Sequence, residues 1–437
     1  MKKVLYCAMI ALTIAGCSSR QKANQALLND AGLLNRNEKE LTEVIIYDVF
    51  SPPVASRIYA YTSLASYEAL RFQDPSKQSI VAHLHGFGNM PVPDKDKKYN
   101  YLLAATKAFF TVAEKITFSI DSLKKYENNV YGNFQDLLDE QTYNNSVAFG
   151  ESVGKKILER AATDHYKETR GMPKFLGTNE PGKWKPTAPD YQDASEPYWF
   201  LIQPLSLDSA GQIKCPPPPD YNMDKNSAFY QTVNEVYTIG KNLSEQQKDI
   251  ARYWDDNPFV IEHSGHMMFG NKKTTPVGHW MGIAGIACHK ANTNAVETAE
   301  TYALTSSAIF DAIITCWKTK YTYHHIRPIT VINESIDPDW QPFLQTPPFP
   351  EHTSGHSGIS SAASTVLTHR LGDNFAFNDT TNVEYIGMKR SFQSFNQAAN
   401  EASISRVYGG IHYTTGVNAG AIQGRNVAEY LLNKIKS

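Results

Sequence analysis

Between Ala308 and Trp317 the chain repeats apolar residues at the spacing of one helix face. Ala308, Ile309, Ala312, Ile313, Cys316 and Trp317 form a continuous stripe. A stripe of that period is the mark of a helix laid against a core. A second face follows at Ile359, Ala362, Ala363, Val366 and Leu367, and a third at Val427, Tyr430, Leu431 and Ile435. Helical patterns also cover Leu102 to Lys125 and Tyr143 to Ala162. Long runs of strict apolar–polar alternation, which half-buried strands would need, are missing. The expected fold class is all-α, built of helical bundles.

Punctuation supports that reading. Ser51 followed by Pro52-Pro53 is a helix start, with a hydroxyl at the cap and proline in the first turn. Ser227 opens another helix, and Ser244 with Gln247 forms a capping box ahead of Ile250, Ala251 and Trp254. From Gly171 to about Asp220 the periodicity breaks, with prolines at 173, 181, 186, 189, 197 and 204 and the run Pro216 to Pro219. This is an irregular crossing segment. Its aromatics, Trp184, Tyr191, Tyr198, Trp199 and Phe200, point to packing on the body rather than to a free linker.

The 437 residues suffice for one large domain or two ordinary ones. A formal net charge of -2 leaves no basic surplus for a nucleic-acid partner. Met1-Lys2-Lys3, an apolar run from Val4 to Ile14, and Ile14-Ala15-Gly16-Cys17 read as an export signal ending in a bacterial lipobox. Cys17 is then the lipidated first residue of a mature, membrane-anchored chain. The expected organisation is a signal over 1–16, a polar tether over 17–40, a helical region with the crossing segment over 41–220, and a second helical region over 221–437. Cys215, Cys288 and Cys316 are too widely spaced for a zinc cluster, and the last two read as buried thiols.

Three segments carry the chemistry. Lys320 and Arg327-Pro328 stand seven apart, two turns if one helix persists. Ser354-Gly355-His356 precedes an apolar helix, placing a hydroxyl and a glycine N–H at a helix N-terminus, where anions are favoured. Ser405-Arg406 is followed by Gly409-Gly410 and His412. Guanidinium forks match the oxygens of a tetrahedral anion. A second Ser-Gly-His, Ser264-Gly265-His266, lacks an equally good helix behind it and reads as a decoy.

Lys-x6-Arg-Pro, then Ser-Gly-His, then Ser-Arg-x5-His resembles the three-part signature of the type 2 phosphatidic acid phosphatase and vanadium-dependent haloperoxidase superfamily. Asp311-Ala312, Trp317-Lys318 and Pro347-Pro348-Phe349-Pro350 resemble its chloroperoxidase branch. The resemblance implies that Lys320, Arg327 and Arg406 bind the oxygens of phosphate or vanadate, with Ser354 and Gly355 completing the cradle. It implies that His412 is the apical vanadium ligand or a phosphohistidine nucleophile, that His356 is the acid/base, and that Trp317 and Phe349 line the site. The function implied is halide oxidation by peroxide on a vanadate cofactor. The alternative is a phosphatase acting on a phosphomonoester without a cofactor, and a third reading is a phosphate-binding lipoprotein. The family's third motif usually continues His-x3-Asp, whereas this chain has Gly416. A backbone carbonyl, Asp255 or Asp256 is expected to serve His412 instead, or Gly416→Asp to improve the enzyme.

Overall fold

The computed structural model describes residues 26–258, 260–264, 267–270 and 273–436. Cys17 with its lipobox, and Gly265 and His266 of the second Ser-Gly-His, lie outside the described residues. Within them the chain is helical, with two short antiparallel hairpins: β1 (Ile261–Ser264) with β2 (Met267–Gly270), and β3 (Phe377–Asp379) with β4 (Arg390–Phe392). No described helix is long and apolar enough to cross a membrane.

Helix α1 (Gly32–Tyr47) begins inside the expected tether and corrects it. Leu33, Leu34, Asn37, Glu38 and Leu41 are buried at helical spacing. The polar residues between them gave this stretch its tether-like composition, but they lie off the buried face or are hydrogen-bonded on it. Next, α2 (Pro52–Leu70) is buried along its whole length, with Ser51 capping Val54 N–H at 3.4 Å. The pattern from Leu102 to Lys125 is two helices, α3 (Tyr101–Ile116) and α4 (Ile120–Gln135). The Asp48 carboxylate breaks it, accepting from Phe118 N–H at 2.9 Å and Ser119 N–H at 3.1 Å. Helix α5 (Glu140–Ala162) packs on α3, with Gly150 against Ala104 and Gly154 against Ala108, and completes this half.

The crossing segment packs on the body. Trp184 and Trp199 are fully buried. The Asp311 carboxylate, itself buried, accepts from Leu205 N–H, Ser206 N–H and the Ser206 hydroxyl at 2.6–2.7 Å. Removing it would strand buried donors at about 1–3 kcal/mol each. The capped helices α6 (Ala228–Lys241) and α7 (Glu245–Tyr253) follow, the latter with the expected capping box.

The second half holds α8 (Pro276–Ala291), α9 (Ala295–Tyr323), α10 (Pro328–Ser335), α11 (Gly355–Leu371), α12 (Phe395–Tyr408) and α13 (Thr414–Lys436). The expected stripe is the buried length of α9, and Cys288 and Cys316 are buried thiols. One contiguous core runs from Leu33 to Leu432, so helices of both halves share it. A smaller cluster around Phe229, Ile329, Trp340 and Tyr413 seats α6 and α10 beneath the functional site.

Candidate active site: a buried oxyanion cradle

Lys320 lies in the last turn of α9, and its ammonium is fully buried. The helix does not persist to Arg327. His324 adopts a left-handed conformation, and Arg327 caps α10, with Pro328 in its first turn. The two-turn geometry expected for Lys320 and Arg327 is therefore wrong, although both side chains reach the same place. They meet over Phe349, whose ring centroid is 4.9 Å from Lys320 Nζ and 5.1 Å from the Arg327 guanidinium carbon. Trp317 packs on the same ring at 5.2 Å. The negative ring face steadies two like charges that would otherwise repel.

Carbonyl oxygens aim the cations. Lys320 Nζ donates to Pro350 O at 2.7 Å and Glu351 O at 3.0 Å, which leaves its third proton free. Arg327 donates from Nε to Phe349 O at 2.9 Å and from Nη1 to Ile411 O at 2.7 Å. Arg406, in the last turn of α12, donates from Nη1 to Trp254 O at 2.7 Å. Each arginine keeps donors in reserve: Arg327 Nη2, Arg406 Nε and Arg406 Nη2 are buried without a partner. Buried, unpaired guanidinium N–H groups are costly unless an anion meets them.

The cradle's floor is the start of α11. Ser354 is its N-cap, accepting from Ser357 N–H at 3.3 Å and from the Ser357 hydroxyl at 3.0 Å. Its own hydroxyl proton and the Gly355 N–H remain available at the positive end of the helix. Trp317, Phe349, Gly355, His356 and Arg406 line one small cavity of about 30 Å³, with Pro52 and Pro347 at its wall.

His412 completes the site. Its Nδ1–H donates to Glu351 Oε1 at 2.8 Å, and its Nε2 accepts from Arg327 Nη1 at 3.2 Å. The lone pair therefore faces the cations. Burial, with Arg327 and Lys320 nearby, holds this imidazole well below its ordinary pKa, against the pull of Glu351. Burial, Arg406 and His412 lower His356 likewise, and His356 Nε2 is buried without a partner. Burial lowers Lys320 to about 7 and Arg327 to about 10. Glu351 stays ionised despite burial because His325 and His412 donate to it.

Sequence reasoning missed Glu351. It expected Asp255, Asp256 or a backbone carbonyl beside His412. Asp255 is taken by Lys273 at 2.7 Å, and Asp256 by His279 at 2.7 Å. Glu351 sits where a residue-416 side chain would go: a Cβ built on Gly416 would stand 2.2 Å from Glu351 Oε1. The expected gain from Gly416→Asp is thereby overturned, because the new carboxylate would collide with the one already there. The signal was legible in principle as a carboxylate two residues before the Thr-Ser-Gly-His run.

Also missed was His279, fully buried between Asp256 and Asp379 at 2.7 and 2.8 Å. Despite burial, the two carboxylates raise it to about 10. The Trp254 ring stacks on it at 4.5 Å, so the ion triad fixes the loop whose carbonyls aim Arg406.

Three buried cations, a helix N-terminus and an imidazole hydrogen-bonded to one of those cations define an enzyme class: a helical bundle that binds a tetrahedral oxyanion and presents a nitrogen ligand or nucleophile to it. Known proteins specify it further. A family model, the second helical-bundle domain of VCPO, matches residues 300–339 and 333–437. A bacterial vanadium-dependent iodoperoxidase of known crystal structure is 44% identical, with 92% of this chain and 96% of that chain covered at a TM-score of 0.87. A bacterial vanadium-dependent chloroperoxidase, solved in holo and apo forms, shares the fold at 16% identity and a TM-score of 0.68, covering 89% of this chain and 94% of that chain. No curated protein matches. The chain belongs to the vanadium-dependent haloperoxidases.

Proposed function

We propose that this protein is a vanadate-dependent haloperoxidase that oxidises iodide with hydrogen peroxide. The single observation that carries the site reading is that Arg327 and Arg406 keep buried guanidinium donors without a partner, while His412 Nε2 sits 3.2 Å from Arg327 Nη1. The donor set suits vanadate: Lys320, Arg327, Arg406, Ser354 and Gly355 would hold its oxygens, and His412 Nε2 would ligate the metal. Vanadate, when bound, supplies the Lewis acidity that activates peroxide.

The chain's own residues do the rest. The cations hold negative charge in a dry cavity, where such contacts are stronger than in water. Glu351 fixes the tautomer of His412. His356, neutral at ordinary pH, takes a proton from the incoming peroxide. Iodide as the halide rests on the 44% identical relative.

The test is to load the protein with vanadate, remove the excess, and assay iodide and bromide oxidation against vanadium content. Oxidation that tracks vanadium, with iodide preferred, is expected. Robust phosphomonoester hydrolysis blocked by vanadate, with no halide oxidation from acid to neutral pH, would replace this reading with the phosphatase.

We also propose that the chain is exported and tethered to a membrane through lipid on Cys17, because Ile14-Ala15-Gly16-Cys17 has the form of a lipobox.

A further inference from the structure

We propose that Glu351 is the positioning residue for His412, that Gly416 is the space this carboxylate occupies, and that His325 holds its far oxygen in register. The proposal rests on the oxyanion-site reading above, and it is carried by three observations.

First, Glu351 is fully buried and its carboxylate is shared. Oε1 accepts from His412 Nδ1–H at 2.8 Å and from Tyr413 N–H at 3.2 Å, while Oε2 accepts from His325 Nδ1–H at 3.0 Å. Two rings and a backbone amide therefore set its plane, and that plane sets the His412 ring. Second, the main chain around it is tied on both sides. Glu351 N–H donates to His325 O at 2.9 Å, Lys320 Nζ donates to Glu351 O at 3.0 Å, and Ser354 N–H donates to Gly416 O at 3.0 Å. The start of α13 is thus pinned against the Glu351 segment.

Third, Gly416 leaves no room for anything else. A Cβ there would lie 2.2 Å from Oε1 and 2.9 Å from both the carboxyl carbon and Oε2. These atoms belong to the Glu351 side chain, which three donors hold, so it cannot swing away cheaply. That Cβ would also stand no further from His412 Nδ1 than its 2.2 Å to Oε1 plus the 2.8 Å of the hydrogen bond. An aspartate carboxylate spans such a gap. One carboxylate place therefore exists beside His412, and it can be filled from residue 351 or from residue 416, but not from both.

His325 closes the arrangement from outside. It is buried between Phe229 at 5.7 Å and Tyr413 at 5.5 Å, both edge-on, and it borders a surface cleft with Tyr221, Tyr323 and Asn418. Without its Nδ1–H, Oε2 would lose the one hydrogen bond it has among the described residues, and the carboxylate would be free to rotate off His412.

The experiment is a residue exchange read on inorganic vanadate by equilibrium dialysis, without turnover. Glu351→Gly, Gly416→Ala and Gly416→Asp should each weaken vanadate binding by roughly tenfold to a hundredfold, the range for losing a partner that orients a metal-ligating histidine. Gly416→Ala is diagnostic, because in the first turn of α13 alanine would ordinarily be at least as favourable as glycine. The double variant Glu351→Gly/Gly416→Asp should bind within about threefold of the original protein, since the carboxylate has only changed its point of attachment. His325→Phe should weaken binding less than Glu351→Gly does.

Histidine-¹⁵N spectra supply a readout that a merely structural role would not move. The Nδ1–H tautomer of His412 should be seen in the original protein and in the double variant, and be lost in Glu351→Gly. A double variant that binds no better than its weaker parent, or that fails to fold, overturns the proposal. So does a Glu351→Gly variant with unchanged affinity. An original protein that binds vanadate yet oxidises no halide would sink the assigned activity and leave this test intact.

Discussion

Lys320 should make oxyanion binding strongly pH-dependent. Its ammonium is fully buried, and burial pulls its pKa from 10.5 to about 7. The other groups of the cradle stay in one state across pH 6–9. His356 and His412 are held well below the ordinary histidine value, Glu351 is held ionised, and Arg327 titrates near 10. An anion bound against Lys320 needs the charged amine, so binding takes up a proton wherever the free site has lost it. Each pH unit above about 7 should then weaken binding about tenfold, or about a hundredfold between pH 7 and 9. Sulfate is the probe of choice because its own charge does not change in that range, as that of phosphate or vanadate does. Calorimetry in buffers of different ionisation enthalpy should register uptake of close to one proton at pH 8.5 and little at pH 6. Lys320→Met should bind weakly at every pH, with the slope gone. Affinity that stays flat from pH 6 to 9, or a slope that survives in Lys320→Met, would refute the assignment.

Arg406→Ala should cost roughly 1.5–3 kcal/mol of vanadate or phosphate binding, about tenfold to a hundredfold in Kd, measured by dialysis. His412→Ala should abolish vanadate-dependent iodide oxidation, whereas His356→Ala should depress turnover more than it depresses vanadate affinity; comparing kcat with bound vanadium separates the two. His279 should link stability to pH. Its folded pKa, about 10, is raised above the ordinary histidine value of 6.5, so its contribution is complete below about 6.5 and is lost as pH rises through about 10. The loss should run at up to about 1.4 kcal/mol per pH unit inside that window, read from guanidinium midpoints, and should vanish in His279→Gln. Cys17→Ser should move the protein from the membrane fraction to the soluble one, and a wild-type protein that is already soluble would end the lipoprotein reading.

Helix existence was legible because it follows from local chemistry. Ser51, Ser227 and Ser244 cap where a hydroxyl precedes an apolar period, and α11 starts at the predicted Ser-Gly-His. Failures came where a distant group overrides the local period. The Asp48 carboxylate reaches across 70 residues to cap α4 and so splits one apolar pattern into two helices. His324 turns left-handed one residue past α9, and nothing in Lys-x6-Arg-Pro says that the two cations belong to different helices. At α1 the composition misled, because polar residues such as Asn37 and Glu38 are buried with hydrogen bonds that only the fold supplies.

The site divides along the same line. Lys320, Arg327, Ser354, Gly355, His356, Arg406 and His412 were readable because each sits in a motif whose neighbours are constrained by backbone geometry. Glu351 and His279 were not, because each acts through partners far away in sequence. Glu351 lies 61 residues from His412, and His279 lies 23 and 100 residues from its two aspartates. An empty position can carry the information that a filled one lacks. Gly416, four residues after His412, has no side chain to report, yet the space it leaves is what identifies Glu351. The carboxylate that orients a histidine is fixed by where it ends in space, and the chain can deliver it from any segment that reaches. A motif scan that scores position 416 alone would class this enzyme as impaired, whereas His412 already has a carboxylate partner in Glu351, close to the second motif.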